Sequence, residues 1–384
     1  MSRPPIYLDY QATTPLDSRV RDSMEPYWSE MFGNPHSEGH SFGWDARRAV
    51  DTARSQVAEL IGADDDEIYF VSGATESCNL ALRGVAFAAS QGRRQIISLA
   101  TEHSAVLDTI KWLGCHGYEV HLLPVMKNGL LDLATLESAL SERTLLVSIM
   151  LANNEIGVIQ PIAEISDLCK SVGAIVHTDA TQAVGRIGVD VDDLGIDLLS
   201  FSAHKIYGPN GVGALYIRNR SGPRLEPLMT GGSQEGGIRP GTVATPLVVG
   251  FGKACEIANA ERDIDARQMK TLSDHLLASL SDQFPDLRIF GDVERRIPGN
   301  LNVGVPGVLG ESVVAAVSEE IAISTGAACA TGSPDPSHVL LSLGVGHEVA
   351  LTGVRISLGR FTTREQVDIA VRVLQSAFTN LRGW

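Results

Sequence analysis

The 384-residue chain reads as an α/β protein with a mostly parallel sheet, followed by a smaller α+β unit. Two observations predict this. From about residue 55 to 220, short apolar, β-branched runs alternate with longer helical patterns, the signature of strands joined by helical crossovers. Beyond residue 245 the alternation gives way to one long helical region and scattered strand-like pieces.

In the first part the candidate strands are Ile68–Val71, Gln95–Ser98, Glu119–Leu123, Leu145–Leu151, Ile175–Thr178, Asp197–Ser200 and Gly213–Ile217. Several are apolar on both faces, as expected of strands covered by helices on each side. Glu76–Ala89, Ser104–His116, Leu133–Leu140 and Ile162–Val172 read as the helices between them, with Asp132 as an N-cap. In the second part Pro246 to Gln283 reads as one helix and Arg364–Leu381 as the last. Between these two helices, Leu287–Phe290, Asn300–Val305, Ile321–Ser324 and Val354–Leu358 read as short strands. The Gly- and Pro-rich stretch Arg220–Thr245 shows no period and reads as a loop region with a task.

Composition narrows the function. Lys and Arg number 31 against 46 Asp and Glu, a net charge of −15, which argues against direct binding to nucleic acid or to an anionic membrane. Five widely spaced cysteines without a CxxC pair fit neither a disulfide framework nor a zinc knuckle, so no metal is expected. No apolar run approaches the length of a bilayer span, and the opening residues carry no apolar stretch. A cytoplasmic protein with reduced thiols is expected.

The strongest local constellation is His177-Thr178-Asp179-Ala180-Thr181-Gln182 followed by Ser200-Phe201-Ser202-Ala203-His204-Lys205. Each lies at the end of a predicted strand, where open α/β sheets place ligands. A lysine there suits an amine ready to condense with an aldehyde. An aspartate on the neighbouring strand suits the ring nitrogen of pyridoxal 5′-phosphate, and Gln182 suits its phenolic oxygen. Singly, each residue fits a capped loop or a surface lysine better; the pairing on successive strands reverses that. Ser72-Gly73-Ala74-Thr75-Glu76 is a small-residue turn into a helix, where backbone N–H groups and the Thr75 hydroxyl form an anion cradle. His103 and Asn154 follow other strands and face the same crevice; His103 suits proton transfer near neutral pH. Cys329 sits among small residues in Ser324–Ser333, a setting for a travelling nucleophile. Arg355, on a strand, fits either a substrate carboxylate or a structural ion pair.

With these residues assembled, the chain closely resembles the NifS/IscS-like cysteine desulfurases, the class-V aminotransferase group whose cysteine lies on a long loop. The matching stretches include Tyr7–Pro15, Phe32–Ser37 with His40 and Gly43, Ser72–Ser77, Thr101–His103, Ala152–Gly157, Thr178–Gln182, Ser202–Lys205, Arg239–Thr242, Gly326–Cys329 and Arg355–Thr362. The resemblance implies an aminotransferase-like fold: a large cofactor-binding domain over residues 15–257, and a small domain from 1–14 and 258–384 carrying a cysteine loop at about 325–337. It implies pyridoxal 5′-phosphate as cofactor, with Lys205 as its anchor, Asp179 at the ring nitrogen, Gln182 at the phenolic oxygen and His103 as the stacking acid–base residue. Ala74, Thr75, Ser202 and His204 match phosphate ligands, joined by Thr242 from the opposite subunit of a homodimer. Asn154 and Arg355 match the substrate carboxylate site, and Cys329 the nucleophile that accepts sulfur.

The implied reaction turns L-cysteine into L-alanine and leaves a persulfide on Cys329 for an acceptor such as an iron–sulfur scaffold. The alternatives are a selenocysteine lyase, another enzyme of the same fold and cofactor, or an inactive partner in sulfur trafficking. Departures from the family pattern are few: Thr325 and Ala327 replace two serines, Asn210 replaces a lysine, and Cys78 takes a position often held by Asp or Asn. Cys78 is expected to be a buried neighbour of the phosphate turn. An acidic chain must still bind a phosphate and a carboxylate, so the helix start, the hydroxyls, His204, Lys205 and Arg355 are expected to form one local electropositive crevice.

Overall fold

The computed structural model describes residues 4–89, 92–219, 222–326 and 335–383. Seven strands form the central sheet in the order Ile68–Val71, Gly213–Ile217, Leu198–Ser202, Ile175–Asp179, Thr144–Ser148, Gln95–Leu99, Glu119–Leu123. Of these, Gly213–Ile217 alone is antiparallel to its neighbours. All seven segments were legible as strands; the reversed direction of Gly213–Ile217 was not.

Alternation along each strand divides the core into two faces. Ile96, Leu146, Leu198 and Leu215 join the cluster built on the helices Ala74–Ala88 and Ser104–Cys115. Ile97, Val147, Leu199 and Tyr216 join the cluster on the opposite face, with Ile162–Val172 and Ser41–Ile61. Both faces are therefore dry, which is why the inner strands read as continuous apolar runs. The edge strand Glu119–Leu123 is more exposed and carries Glu119 paired with His121 and Arg143, charges that blunt an open edge.

The helix Ser41–Ile61 lies outside the elements the sequence patterns picked out. Its buried face uses Ala46, Val50, Ala53 and Val57, small or β-branched residues with a weak apolar signal, together with Leu60. His40 caps its start by accepting from Gly43 N–H, and Gly62 ends it at φ 69°.

The helix Thr245–Gln283 has 39 residues and spans both halves of the molecule. Its first part (Val248, Phe251, Cys255, Ala258) packs into the large-sheet core. Leu272, Leu276 and Leu280 pack into a second core. That core covers an antiparallel sheet of Arg288–Ile289, Asn300–Gly304 and Val354–Ser357, backed by Gly310–Val317 and Arg364–Arg382. The N-terminal strand Ile6–Tyr7 pairs in parallel with Ile321–Ala322, and Leu8 enters the second core. The chain then runs along the junction: Gln11 N–H donates to Ser357 Oγ (3.0 Å) and Thr14 N–H to the His204 carbonyl (3.0 Å). This strap places residues 9–14 between the two cores, where the functional cavity opens.

Candidate active site

A cavity of about 580 Å³ opens at the carboxyl ends of the central strands, the position open α/β sheets use for ligands. Asp179, the last residue of its strand, lines it and is 6% exposed; its Oδ1 accepts from Thr181 N–H at 2.9 Å. Ser202 ends the next strand, and a single 3-10 turn, Ala203–Lys205, presents His204 and Lys205 to the same space. Lys205 Nζ donates to the Gln11 carbonyl (2.7 Å) and the Ala12 carbonyl (2.6 Å), so the strap holds the amine at the cavity. His177, which opens the sequence motif, does not line the cavity. It is buried between Ser148 and Ser200, and burial pushes it down to about 4.

The anion cradle is a helix start without a side-chain cap. Gly73 precedes Ala74–Ala88 with φ 154° and ψ −179°, a conformation open to glycine and strained for other residues. Ala74 and Thr75 begin the helix beside the cavity, and a Cβ built on Gly73 would lie 3.9 Å from Ser202 Oγ. Glu76 is drawn back from this turn: it accepts from Ser72 N–H at 2.6 Å and pairs with Arg239 at 2.9 Å.

Of the two cavity histidines, one differs from expectation in charge. His204, bonded through Nδ1 to Thr13 Oγ1 at 3.0 Å, is pushed down to about 4 by burial and by the neighbouring Lys205. It is neutral at pH 7, so the expected electropositive crevice loses one of its cations. His103 caps Ser104–Cys115, its Nδ1 accepting from Ala105 N–H at 3.1 Å, which leaves the proton of the neutral ring on Nε2. Burial, only partly offset by Asp179, holds it below the usual histidine range, so it meets neutral pH as a base rather than a cation.

The opposite wall comes from the second core. Arg355, 4% exposed, donates to Asp9 Oδ1 at 2.6 Å and to the Asn154 carbonyl at 3.0 Å. It lines the cavity and is also ion-paired. Its partner Asp9 was missed, because only pairing of the N-terminal strap brings it there. Gln182 lines the cavity but spends one amide hydrogen on the Gln11 carbonyl at 3.0 Å. Thr242 is exposed and does not line the cavity of its own chain. Cys329 lies outside the described residues, as does most of the expected loop at 325–337. Cys78 is fully buried, and burial raises its thiol well above the ordinary range.

The class-V aminotransferase family model matches residues 6–369. The chain belongs to that family. Among curated relatives, the cysteine desulfurase IscS of Rickettsia massiliae is 48% identical over 378 residues, covering 98% of this chain and 92% of the relative. This similarity groups the chain with the cysteine desulfurases. Among solved structures, a NifS-like protein superposes with a TM-score of 0.92 at 37% identity, covering 98% of this chain and 100% of that one. SspA in complex with cysteine superposes with a TM-score of 0.82 at 34% identity, covering 93% of this chain and 100% of that one.

As a family member the enzyme takes pyridoxal 5′-phosphate as cofactor. The cavity fits it. Asn154 Oδ1, Thr181 Oγ1, Gln182 Oε1 and Arg355 Nε are buried without a hydrogen-bond partner among the described residues, and all four residues line the cavity. Each such atom costs about 1–3 kcal/mol when left unsatisfied, so their convergence marks where a polar ligand completes the structure. The uncapped helix start suits a phosphate, Asp179 a ring nitrogen and Lys205 an aldehyde.

Proposed function

We propose that the enzyme converts L-cysteine to L-alanine, with Cys329 accepting the sulfur as a persulfide that passes to an acceptor. The observation that carries this reading is the convergence of Lys205, Asp179, the bare helix start and Arg355 on one cavity. Bound there, pyridoxal 5′-phosphate supplies the electron sink for charge at the substrate carbon. Ala74, Thr75, Ser202 and His204 would hold its phosphate, Asp179 its ring nitrogen and Gln182 its phenolic oxygen, with His103 as the residue that would stack on it. Arg355 and Asn154 orient the substrate carboxylate. Lys205 Nζ moves the α-proton, and His103 serves as the second acid–base group.

Cys329 Sγ attacks the substrate sulfur. An S–S bond forms as the substrate Cβ–S bond breaks, the electron pair stays with carbon, and protonation makes the methyl group of alanine. The sum, thiol plus cysteine giving persulfide plus alanine, is redox-neutral.

The division into a large domain over 15–257 and a small domain over 1–14 and 258–384 is our reading of the two cores. A homodimer, with Thr242 reaching the opposite cavity, is supported by exposed Trp28, Phe32, Phe42 and Trp44, an apolar surface for a second copy to cover. We place the enzyme in the cytoplasm, and read its sulfur acceptor as an iron–sulfur scaffold or a thiolation partner. Among the described residues no helix is long and apolar enough to cross a membrane.

The test is incubation of the cofactor-loaded enzyme with L-cysteine and a thiol reductant. Alanine and sulfide are expected in equal amounts from the wild type, and neither from Cys329→Ser or Lys205→Ala. Sulfide production undiminished in Cys329→Ser would sink the persulfide step.

A further inference from the structure

Among the buried carboxylates with no part in the chemistry above, one stands beside the substrate wall. Glu155 is 3% exposed and stands next to Asn154 in the wall that holds Arg355. Its backbone is fixed on two sides: its N–H donates to Asn153 Oδ1 at 2.8 Å, and its carbonyl accepts from Asn300 Nδ2 at 3.1 Å. Its side chain meets both flanks of the segment that carries Cys329. On the near flank is Gly326, at φ 86°, where an added Cβ would lie 2.8 Å from Glu155 Oε2. On the far flank Ser337 Oγ donates to the same Oε2. The Ser337 hydroxyl is then fully used, because it also accepts from Val339 N–H (3.1 Å) and Leu340 N–H (3.3 Å) to cap the helix His338–Ser342.

The near flank is tied to the substrate wall as well. Gly326 N–H donates to Ser324 Oγ at 3.0 Å, and Ser324 pairs through its backbone with Arg355, whose N–H donates to the Ser324 carbonyl at 2.6 Å. Arg355 in turn donates to the Asn154 carbonyl. Hydrogen bonds therefore link Gly326 to Ser324 and Ser324 to Arg355, and Arg355 to Asn154, while Gly326 lies close against the Glu155 carboxylate without a bond to it. Ser337 is bonded to that carboxylate from the other flank.

We propose that Glu155 is a positioning residue for sulfur transfer: one carboxylate oxygen holds Ser337 by a hydrogen bond and packs against Gly326, tying both flanks to the substrate-carboxylate wall and so setting where Cys329 is delivered. This deepens the desulfurase reading and rests on Cys329 as the nucleophile. Glycine is required at 326 because a side chain would displace the carboxylate. The contact acts on transfer and not on substrate capture, since Glu155 meets the flanks while Arg355 and Asn154 meet the substrate.

The test compares Glu155→Ala, Glu155→Gln and Ser337→Ala in the cofactor-loaded enzyme. Persulfide on Cys329 is followed by mass spectrometry in a single turnover. L-Cysteine binding is followed by the cofactor's absorbance in a Cys329→Ser background. Glu155→Ala and Ser337→Ala should each slow persulfide formation by about 10- to 100-fold, the scale of an ångström-level misplacement, with substrate affinity unchanged. The double variant should be no slower than either single one. Glu155→Gln should be rescued, because its amide oxygen still accepts from Ser337. In cofactor-free protein, alkylation of Cys329 should be faster in Glu155→Ala and unchanged in Glu155→Gln.

A wild-type rate in Ser337→Ala overturns the proposal even where Glu155→Ala fails to fold. So does a loss carried by substrate affinity, or an unchanged alkylation rate in Glu155→Ala. A wild type that forms no persulfide on Cys329 instead overturns the desulfurase reading, and this proposal with it.

Discussion

The floor of the cavity and its wall manage their ionisable groups in opposite ways. On the floor, at the carboxyl ends of the central sheet, His204 is pushed down to about 4 and His103 is also lowered, both chiefly by burial, so the rings are neutral. On the wall the arginines stand in ion pairs, Arg355 with Asp9 at 2.6 Å. Nearby, Arg360 pairs with Asp265 at 2.7 Å and Asp17 at 3.1 Å. The difference follows from how each is built. The floor is the end of one continuous sheet, where burial penalises charge on the rings, at His103 more than the neighbouring Asp179 offsets it. The wall is a junction, where the N-terminal strap brings carboxylates to arginines from a distant part of the chain. The rings on the floor stand beside an uncapped helix start, whereas the arginine on the wall is held in place by Asp9.

This contrast can be broken most severely at the wall. Arg355→Leu strands Asp9, whose side chain is 17% exposed, and should cost about 3–5 kcal/mol, the range for removing one partner of a buried pair. Urea unfolding measures it, and a cost below 1 kcal/mol, roughly that of a surface pair, would show the pair to be solvated. The double variant Arg355→Leu/Asp9→Leu should recover most of the loss, since both charges are then gone.

On the floor the largest expected effect is backbone strain. Gly73→Ala forces a side chain into φ 154° and should cost about 1–3 kcal/mol. It should also weaken retention of the cofactor, read as pyridoxal 5′-phosphate released on ultrafiltration. Retention equal to the wild type would move the phosphate away from this helix start.

A smaller effect separates the two regions by pH. His177 and His204 stay neutral in the folded protein down to about 4, but protonate near pH 6.5 when unfolded. Because their folded values are depressed, the stability they contribute is complete above about pH 6.5 and is lost as the pH falls from there toward about 4. The melting temperature of the cofactor-free protein should therefore drop on acidification through that window, and His204→Asn should flatten part of the slope. Arg355→Leu should leave that histidine slope in place, because neither ring draws its shift from Arg355.

Much of the floor was legible in advance. Asp179, Ser202 and Lys205 announce themselves because a strand end, a turn and a helix start are local events, written within a few residues. Cys78 was likewise legible as a buried residue just after the glycine turn at Gly73. The charge state of His204 was not legible, because it depends on how much solvent the assembled units exclude. Asp9 and Glu155 stood inside recognised motifs yet showed no role. Their partners, Arg355 and Ser337, are 346 and 182 residues away in sequence.

The sequence by itself determined the alternating sheet, the family and the set of reactive groups, because side-chain period and turn chemistry act over short spans. Only the tertiary structure decided which strand runs backward, which histidines lose their charge and which carboxylate faces which cation. Those outcomes depend on distance and desolvation, and both come into being when the N-terminal strap closes across the junction between the two cores.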